Sequence, residues 1–567
     1  MRTYVVVFRV TALLGLVTGA IARALPWQPT WPGISIQSAW RGAAFGWLLG
    51  ATLAVPLAWT WSRRSPRSAS RTGSRWGRLL GASFTAVAVA PAGLWLIASL
   101  PGGPLRKALS SGSAAGAARP NVILITVEAL RPDHIGAYGS EDGLTPNLDA
   151  FAKGATRYDS AYVSSSWTVP SLAAIMTALL PSQCVIGPPA KRAGSERNLP
   201  YRLTGGAPML SEELGRAGYM TAAEVTNHFL CPEGGWSRGF DCFRNESSGD
   251  DPLSDSEDPL SDDADAQHVT ERAAQWLSLN RREPFFLWVH YFDPHVPYDS
   301  PDTPADIRAR YPSGWVAHRR TWLYDMRFAR EPERSRYMEF YRWMYAEEVR
   351  YTDRWLGGLL KQIKAAGIYD RSLIVITADH GEELLDRTER GGVEHGHSMH
   401  EAVLWVPLFV KWPRGVEADS RVGQTVSVVD LHATVLRLAG IPEGKAADHP
   451  QLPQRDGAKG DEVFAEWIYY GTEQTALIDD TYKVLYEPTE DGSSGRLQVY
   501  DRRTDRQEQH DLAGTPVAGD LRRRLQQLTI AALDRRRSIA GRYGSRPAVL
   551  SEKAARELRS LGYIGDH

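Results

Sequence analysis

A hydroxyl, two carboxylates and an imidazole in this chain have the types and spacing of a metal-activated nucleophile site. Thr168 lies in Ser-Ser-Trp-Thr-Val-Pro-Ser, 165–171, just ahead of an apolar helical stretch. Upstream, the apolar run 121–127 ends on Glu128; downstream, the run 373–378 ends on Asp379-His380. An unactivated hydroxyl is a poor nucleophile at neutral pH, and a bound divalent cation lowers the cost of removing its proton. Carboxylate oxygens with an imidazole suit Mn, Zn or Mg; a cage of oxygens alone suits Ca better. Taken singly, each feature is ordinary. Thr-Val-Pro-Ser is a helix start, with Pro170 in the turn that needs no amide hydrogen. A lone acid at a strand end caps a helix or pairs with a cation. The four residues together, Glu128, Thr168, Asp379 and His380, point to a site holding one divalent ion.

Histidines cluster after two apolar runs. His290, Asp293 and His295 lie in Trp-Val-His-Tyr-Phe-Asp-Pro-His-Val-Pro-Tyr, and His395, His397 and His400 in Glu-His-Gly-His-Ser-Met-His. Imidazoles so placed can grip substrate oxygens or protonate a leaving group. His295 and His397 are the first candidates to bind the transferred group, with His290 and His395 behind them. Arg131 is a candidate for charge neutralisation, although an arginine after a strand is more often a surface residue.

These residues need a frame. The runs 121–127, 284–289, 373–378 and 405–411 are nearly continuous in apolar character, which suits strands buried on both faces. Helical patterns fall between them at 145–154, 171–180, 264–279, 338–366 and 429–439. Alternating strands and helices argue for an α/β fold, a sheet sandwiched by helices. In such sheets ligands bind beyond the carboxyl ends of the strands, where Glu128 and Asp379 sit. The positive end of the helix after Thr168 would face an anionic substrate. Residues 247–265 are acidic and read as a solvated loop; no bidentate acid follows at calcium-loop spacing. Residues 301–345, rich in Arg, Tyr and Trp, read as an insertion over the sheet edge. From about 460, runs at 463–469, 476–486 and 496–500 and a charged helix at 518–535 suggest a small α+β subdomain.

The 567 residues allow more than one domain. Charge is asymmetric. Of 65 basic residues, 13 lie in 1–120, where no acid occurs; the remaining 52 face 66 acids. An acidic body excludes a basic nucleic-acid-binding face. Apolar stretches near 4–24, 39–61 and 79–100 each match the roughly 20 residues of a membrane-spanning helix. Residues 1–24 alone also fit a signal peptide, but two further stretches favour an anchor. The loop 63–78 carries six arginines and no acid. The positive-inside rule puts it in the cytoplasm and everything after residue 100 outside. The expected organisation is a transmembrane region at 1–100, a linker at 101–119, a catalytic domain at 120–445, a C-terminal subdomain at 446–535 and a tail at 536–567. The expected location is the cell membrane, multi-pass, with the catalytic domain on the extracytoplasmic side. Cys231 and Cys242 flank a turn-rich stretch; a disulfide and two buried thiols both fit it.

The motifs resemble the sulfatase family of the alkaline-phosphatase superfamily. Matching stretches are Asn-Val-Ile-Leu-Ile-Thr-Val-Glu-Ala-Leu-Arg-Pro-Asp-His at 121–134, Thr-Pro-Asn-Leu-Asp at 145–149, Trp-Thr-Val-Pro-Ser-Leu-Ala at 167–173 and His-Tyr-Phe-Asp-Pro-His-Val-Pro-Tyr at 290–298. Ile-Thr-Ala-Asp-His-Gly-Glu-Glu at 376–383, Gly-His-Ser at 396–398, Val-Val-Asp-Leu-His-Ala-Thr-Val-Leu at 428–436 and Val-Tyr-Asp-Arg-Arg-Thr-Asp at 499–505 follow in the family's order. The resemblance implies a mixed sheet between helices, one divalent ion (Mn, Zn, Mg or Ca) and an anionic ester substrate. Sulfatases of this type carry Cys or Ser at the Thr168 position, oxidised to formylglycine, and an arginine where Leu172 stands. Threonine bears a methyl on Cβ and cannot give that aldehyde. Glu128, Thr168 and Asp379-His380 are more similar to the superfamily's membrane-anchored phosphotransferases, the lipoteichoic acid synthases and phosphoethanolamine transferases. The resulting expectation is a membrane-anchored hydrolase or transferase of phosphate-type esters, with an envelope lipid or glycan in reach. A sulfuric ester hydrolase and an inactive module binding anionic glycans or lipids are the alternatives.

Overall fold

Asn121–Val127 (β1), Phe285–Tyr291 (β5) and Ser372–Ala378 (β6) are buried at every position, as their apolar runs require, and form the middle of the main sheet. A computed structural model describes residues 119–525 apart from several segments, chiefly 187–197, 204–207, 246–264, 281–283, 304–332, 387–391, 443–449, 470–473 and 489–494, and a few residues beyond. The three long apolar stretches and nearly all of the linker, the acidic loop and the C-terminal tail lie outside the described residues. Among the described residues no helix is long and apolar enough to cross a membrane.

Chain order gives β1, then α1 (Pro146–Ala152), β2 (Thr156–Tyr162), α2 (Thr168–Thr177), α3 (Leu210–Arg216), β3 (Met220–Val225) and β4 (Cys242–Asn245). There follow α4 (Ala266–Asn280), β5, α5 (Glu333–Ala365), β6, β7 (Trp405–Val406), β8 (Leu408–Lys411), β9 (Ser420–Ser427) and α6 (Leu431–Leu438). The main sheet runs β7-β2-β8-β6-β1-β5-β3-β4, with β9 on the far side of β2. Its centre is parallel: β1 pairs with β5 and β6, and β3 with β5 and β4. Beyond β6 it turns antiparallel, through β8 and β2. The sheet is therefore mixed. Four adjacent parallel strands, β6-β1-β5-β3, deliver their carboxyl ends to one place.

The apolar runs locate the centre of the sheet and miss its margins. Strands β2, β3, β4 and β9 carry Thr, Ser, Arg and Glu and do not read as buried runs. The run 405–411 is two short strands, broken at Pro407, which cannot donate to a ladder. The helix expected at 338–366 is present as the 33-residue α5; it starts five residues earlier, inside the stretch 301–345 expected as an edge insertion, and buries Tyr341 and Tyr345.

The C-terminal sheet is antiparallel, β10 (Val463–Glu466), β11 (Thr475–Ile478), β12 (Tyr482–Pro488) and β13 (Gly495–Asp501). The stretch 476–486 is a hairpin rather than one strand, turning at Asp479, whose carboxylate accepts from the amides of Thr481 and Tyr482. A second apolar cluster, built on Phe464, Leu477, Val484, Leu497 and Val499, lies under this sheet. The three cysteines are free thiols, so of the two readings of Cys231 and Cys242 the unpaired one holds.

Candidate active site

Glu128 is the first residue past β1, and its amide extends the ladder by donating to the Tyr291 carbonyl, 2.9 Å. Ala129 then turns into the left-handed region, φ 57°, a conformation an alanine holds only at a cost. That turn aims the Ala129 amide at Asp379 Oδ1, 3.3 Å, and ties the ends of β1 and β6 together. Tyr345 of α5 braces the turn from behind: its hydroxyl donates to the Ala129 carbonyl and accepts from the Arg131 amide. Thr168 opens α2, after an extended Trp167, and every residue of that helix is buried. The helix thus starts three residues earlier than its apolar pattern suggests, with Thr168 and Pro170 both in the first turn.

The four residues picked from the sequence meet. Thr168 Oγ1 donates to Glu128 Oε1 across 2.8 Å and lies 3.3 Å from His380 Nε2. Ligand atoms of Glu128, Asp379 and His380 all lie within 4.8 Å of one another. The three side chains are fully buried, and Thr168 is 3 % exposed. The donor set fits a cation. Nδ1 of His380 lies 2.8 Å from the Gly381 carbonyl, which only accepts, so Nδ1 carries a proton and Nε2 is the nitrogen turned to the site as a candidate ligand. Asp379 Oδ2 is buried without a hydrogen-bond partner, 3.5 Å from that Nε2. Buried lone pairs that face one another are costly unless a cation sits between them.

Electrostatics point the same way. Burial, reinforced by the charge of Glu128, pushes the Asp379 carboxyl up to about 6. Burial works against the Glu128 charge too and is the largest single influence, but the hydrogen bond with His290 and the nearby imidazoles of His295, His290 and His380 together overcome it and hold that carboxyl well below the usual range. Burial lowers His295 to about 4, so it is neutral at neutral pH.

The histidines divide. His290 Nε2 bonds Glu128 Oε2 at 3.1 Å, and His295 Nε2 stands 3.8 Å from Glu128 Oε1. His295 Nδ1 donates to the Val296 carbonyl, so that Nε2 is the nitrogen turned toward Glu128. The His395 ring lies against His380, with centroids 4.1 Å apart. His397 is turned elsewhere: Nε2 is 3.3 Å from Glu383 and Nδ1 is 3.2 Å from the His395 carbonyl. Between the two, Gly396 at φ 74° rotates the chain, so His395 and His397 do not share a face. His400 pairs with Glu508, 2.6 Å, in the C-terminal region. Arg131 is committed to Asp133, Asp386 and the Glu382 carbonyl and faces away from Thr168.

Two residues were not anticipated. Asn227, past the end of β3, donates to Glu128 Oε2 at 2.7 Å. Glu382 is buried, bonds His395 Nδ1 at 3.1 Å and accepts from Tyr298 at 3.2 Å; burial pushes it up to about 7.

The sulfatase family profile matches residues 120–441, more than half of the chain and all of the site. The chain belongs to the sulfatase family. It is similar to Arylsulfatase K of Bos taurus, 26 % identical over 289 residues, covering 43 % of this chain and 51 % of that protein. It is similar to Arylsulfatase A of Homo sapiens, 26 % identical over 377 residues, covering 59 % and 67 % respectively. The chain therefore spans about half to two thirds of these relatives. The fold is shared with the solved phosphonate monoester hydrolase of Agrobacterium radiobacter, with a TM-score of 0.53 at 17 % identity, covering 74 % of this chain and 96 % of that one.

Proposed function

We propose that this sulfatase-family hydrolase cleaves phosphate-type esters by direct attack of Thr168. The observation that carries the reading is the hydroxyl itself: Thr168 Oγ1 at the buried start of α2, bonded to Glu128 and 3.3 Å from His380 Nε2. Glu128, Asp379 and His380 would hold one divalent ion, which supplies electrophilic activation and neutralises charge when bound. The Thr168 proton lies on the line to Glu128 Oε1. As the bond between Oγ1 and phosphorus forms, Oγ1 gives up its proton toward Glu128; the bond from phosphorus to the leaving oxygen breaks, and the leaving oxygen takes up that proton, directly or through water. Water then releases the phosphoryl group from Thr168, or an acceptor alcohol takes it. His295 would bind the transferred group through Nε2 by donating to it once that nitrogen is protonated. His397 reaches it only by giving up Glu383.

A sulfate ester reading is favoured by the arylsulfatase relatives. Because threonine gives no formylglycine, it requires the same direct attack. Incubating the chain with Mn, Zn, Mg or Ca and aryl phosphate monoesters, diesters, phosphonates and sulfates separates the two readings. Faster turnover of sulfate than of every phosphorus ester would overturn the phosphoryl assignment. A chain that binds no divalent ion and turns over none of them would be a binding module. The anchor at 1–100 with an outward catalytic domain belongs to the same proposal. It places envelope lipids or glycans within reach, and protease protection in intact cells tests it.

A further inference from the structure

The main sheet builds a buried hydrogen-bond chain behind Glu128. Thr126 and His290 are cross-strand neighbours in the parallel pair β1–β5. The period of two puts Glu128 on the same side as Thr126, and Trp288 on the same side as His290. Trp288 Nε1 donates to Thr126 Oγ1 at 2.9 Å, Thr126 Oγ1 lies 2.8 Å from His290 Nδ1, and His290 Nε2 lies 3.1 Å from Glu128 Oε2. All four side chains are fully buried. The direction of the chain follows from the chemistry of its members. An indole only donates, so Thr126 oxygen accepts from Trp288. Among the described residues the Thr126 hydroxyl has one acceptor, His290 Nδ1. That nitrogen therefore accepts, the imidazole proton sits on Nε2, and it is donated to Glu128.

Asn227 reaches the same oxygen from β3. Its Oδ1 accepts from the Phe229 amide at 2.8 Å, which fixes the amide orientation and leaves Nδ2 to donate to Glu128 Oε2. Oε2 thus receives two donors, while Oε1 receives Thr168.

We propose that the Trp288–Thr126–His290 relay and Asn227 clamp Oε2 of Glu128, so that the carboxylate presents Oε1 alone to Thr168 and the cation. Thr126, His290 and Asn227 are positioning residues here. This rests on the reading of Glu128 and Thr168 as the working pair, and it makes a separate claim about a proton. Outer partners that orient a ligand typically change metal affinity or activity by about 10–100-fold when removed.

The test uses the full chain, metal-free and zinc-loaded, labelled with nitrogen-15 at histidine, with the His290 signals assigned by difference against His290→Gln. The expected spectrum shows an unprotonated Nδ1 and a protonated Nε2. Thr126→Val should mix the tautomers and lower kcat at least about tenfold on whichever of 4-nitrophenyl phosphate, 4-nitrophenyl phenylphosphonate and 4-nitrophenyl sulfate is turned over fastest, with KM within about twofold. Thr126→Ser keeps the hydroxyl and should restore both; it also shows that the position tolerates substitution. A proton on Nδ1 in the unaltered chain overturns the clamp, whether or not the protein turns over any ester. So does a Thr126→Val variant with the tautomer and kcat unchanged. Unimpaired turnover by Thr168→Ala would instead sink the nucleophile assignment, leaving the tautomer result to be read on its own.

Discussion

Thr168 donates a hydrogen bond to Glu128 Oε1 across 2.8 Å, and this bond joins the start of α2 to the end of the central strand β1. Both residues are buried. On the proposed direct attack, the hydroxyl is aligned before substrate arrives, so little reorganisation is needed at that step.

Removing the hydroxyl should therefore remove the reaction while leaving the fold. Thr168→Ala deletes few atoms from a buried site and should cost about 1–2 kcal/mol of stability. It should lower kcat by about a thousandfold or more. Thr168→Ser keeps the oxygen and should retain measurable turnover. Equal rates for Thr168→Ala and the unaltered chain would end the direct-attack mechanism.

The second expectation concerns the ion. Asp379 Oδ2 has no hydrogen-bond partner and shares its burial with Glu128. Asp379→Asn should raise the thermal stability of the metal-free protein, because it removes a buried carboxylate charge that faces the Glu128 charge with one oxygen unpartnered. The same change should abolish stoichiometric binding of a divalent ion, measured by elemental analysis after gel filtration. In the unaltered chain, ion at about 100 times its Kd should add about 2.7 kcal/mol of stability, read as a rise in Tm. A chain whose Tm ignores Mn, Zn, Mg and Ca alike would speak against the site.

Much of this site is legible in the sequence because acids that interrupt or terminate apolar runs are conspicuous. Glu128 and Asp379 end strands whose every residue is buried, and the fold brings them within ligand distance. Asn227 gives no such signal. It follows Met-Thr-Ala-Ala-Glu-Val, too small and polar to read as a central strand, and an uncharged amide carries no mark of its partner. The histidines of 394–400 show another limit. Identity and spacing place His395 and His397 near the site, but the turn at Gly396 decides which ring lies against His380. Backbone dihedrals of that kind are set by tertiary contacts: Gly396 donates its amide to the Ser166 carbonyl and packs on Trp167 and Tyr469.

A pH test of the fold, away from the site, comes from Glu224 on β3. It faces Arg244 of β4 at 3.3 Å, yet burial pushes its carboxyl up to about 7 against the pull of Arg244 and Arg272. A folded value above the ordinary 4.5 means the folded state holds the proton more tightly than the unfolded one. The contribution is then fully present below about 4.5 and lost as pH rises through about 7. Glu224→Gln mimics the protonated acid. It should match the unaltered chain in Tm near about pH 4 and exceed it near about pH 8, by about 3 kcal/mol at most. A difference that does not grow with pH would show that the carboxylate is better solvated than its burial implies.

Lys483 gives the last prediction, on the seam between the two sheets. Its ammonium is fully buried, 3.3 Å from Glu401 and 2.9 Å from Glu508. Glu508 also pairs with His400, and Glu401 with Arg506 at 3.1 Å. His400 and Glu401 directly follow the loop that carries His395 and His397, whereas Lys483 belongs to β12 of the C-terminal sheet. The seam thus fastens the histidine loop to the small sheet. Lys483→Met preserves the apolar stem but leaves two buried carboxylates short of their shared cation, at a cost of about 3–5 kcal/mol. Because Met fills much of the same volume, the loss should come from charge rather than from a cavity. Replacing Glu401 by Gln in the Lys483→Met background should then recover part of it. Urea unfolding measures both, and a Lys483→Met loss below about 1 kcal/mol would place the stability of the seam in its apolar contacts instead.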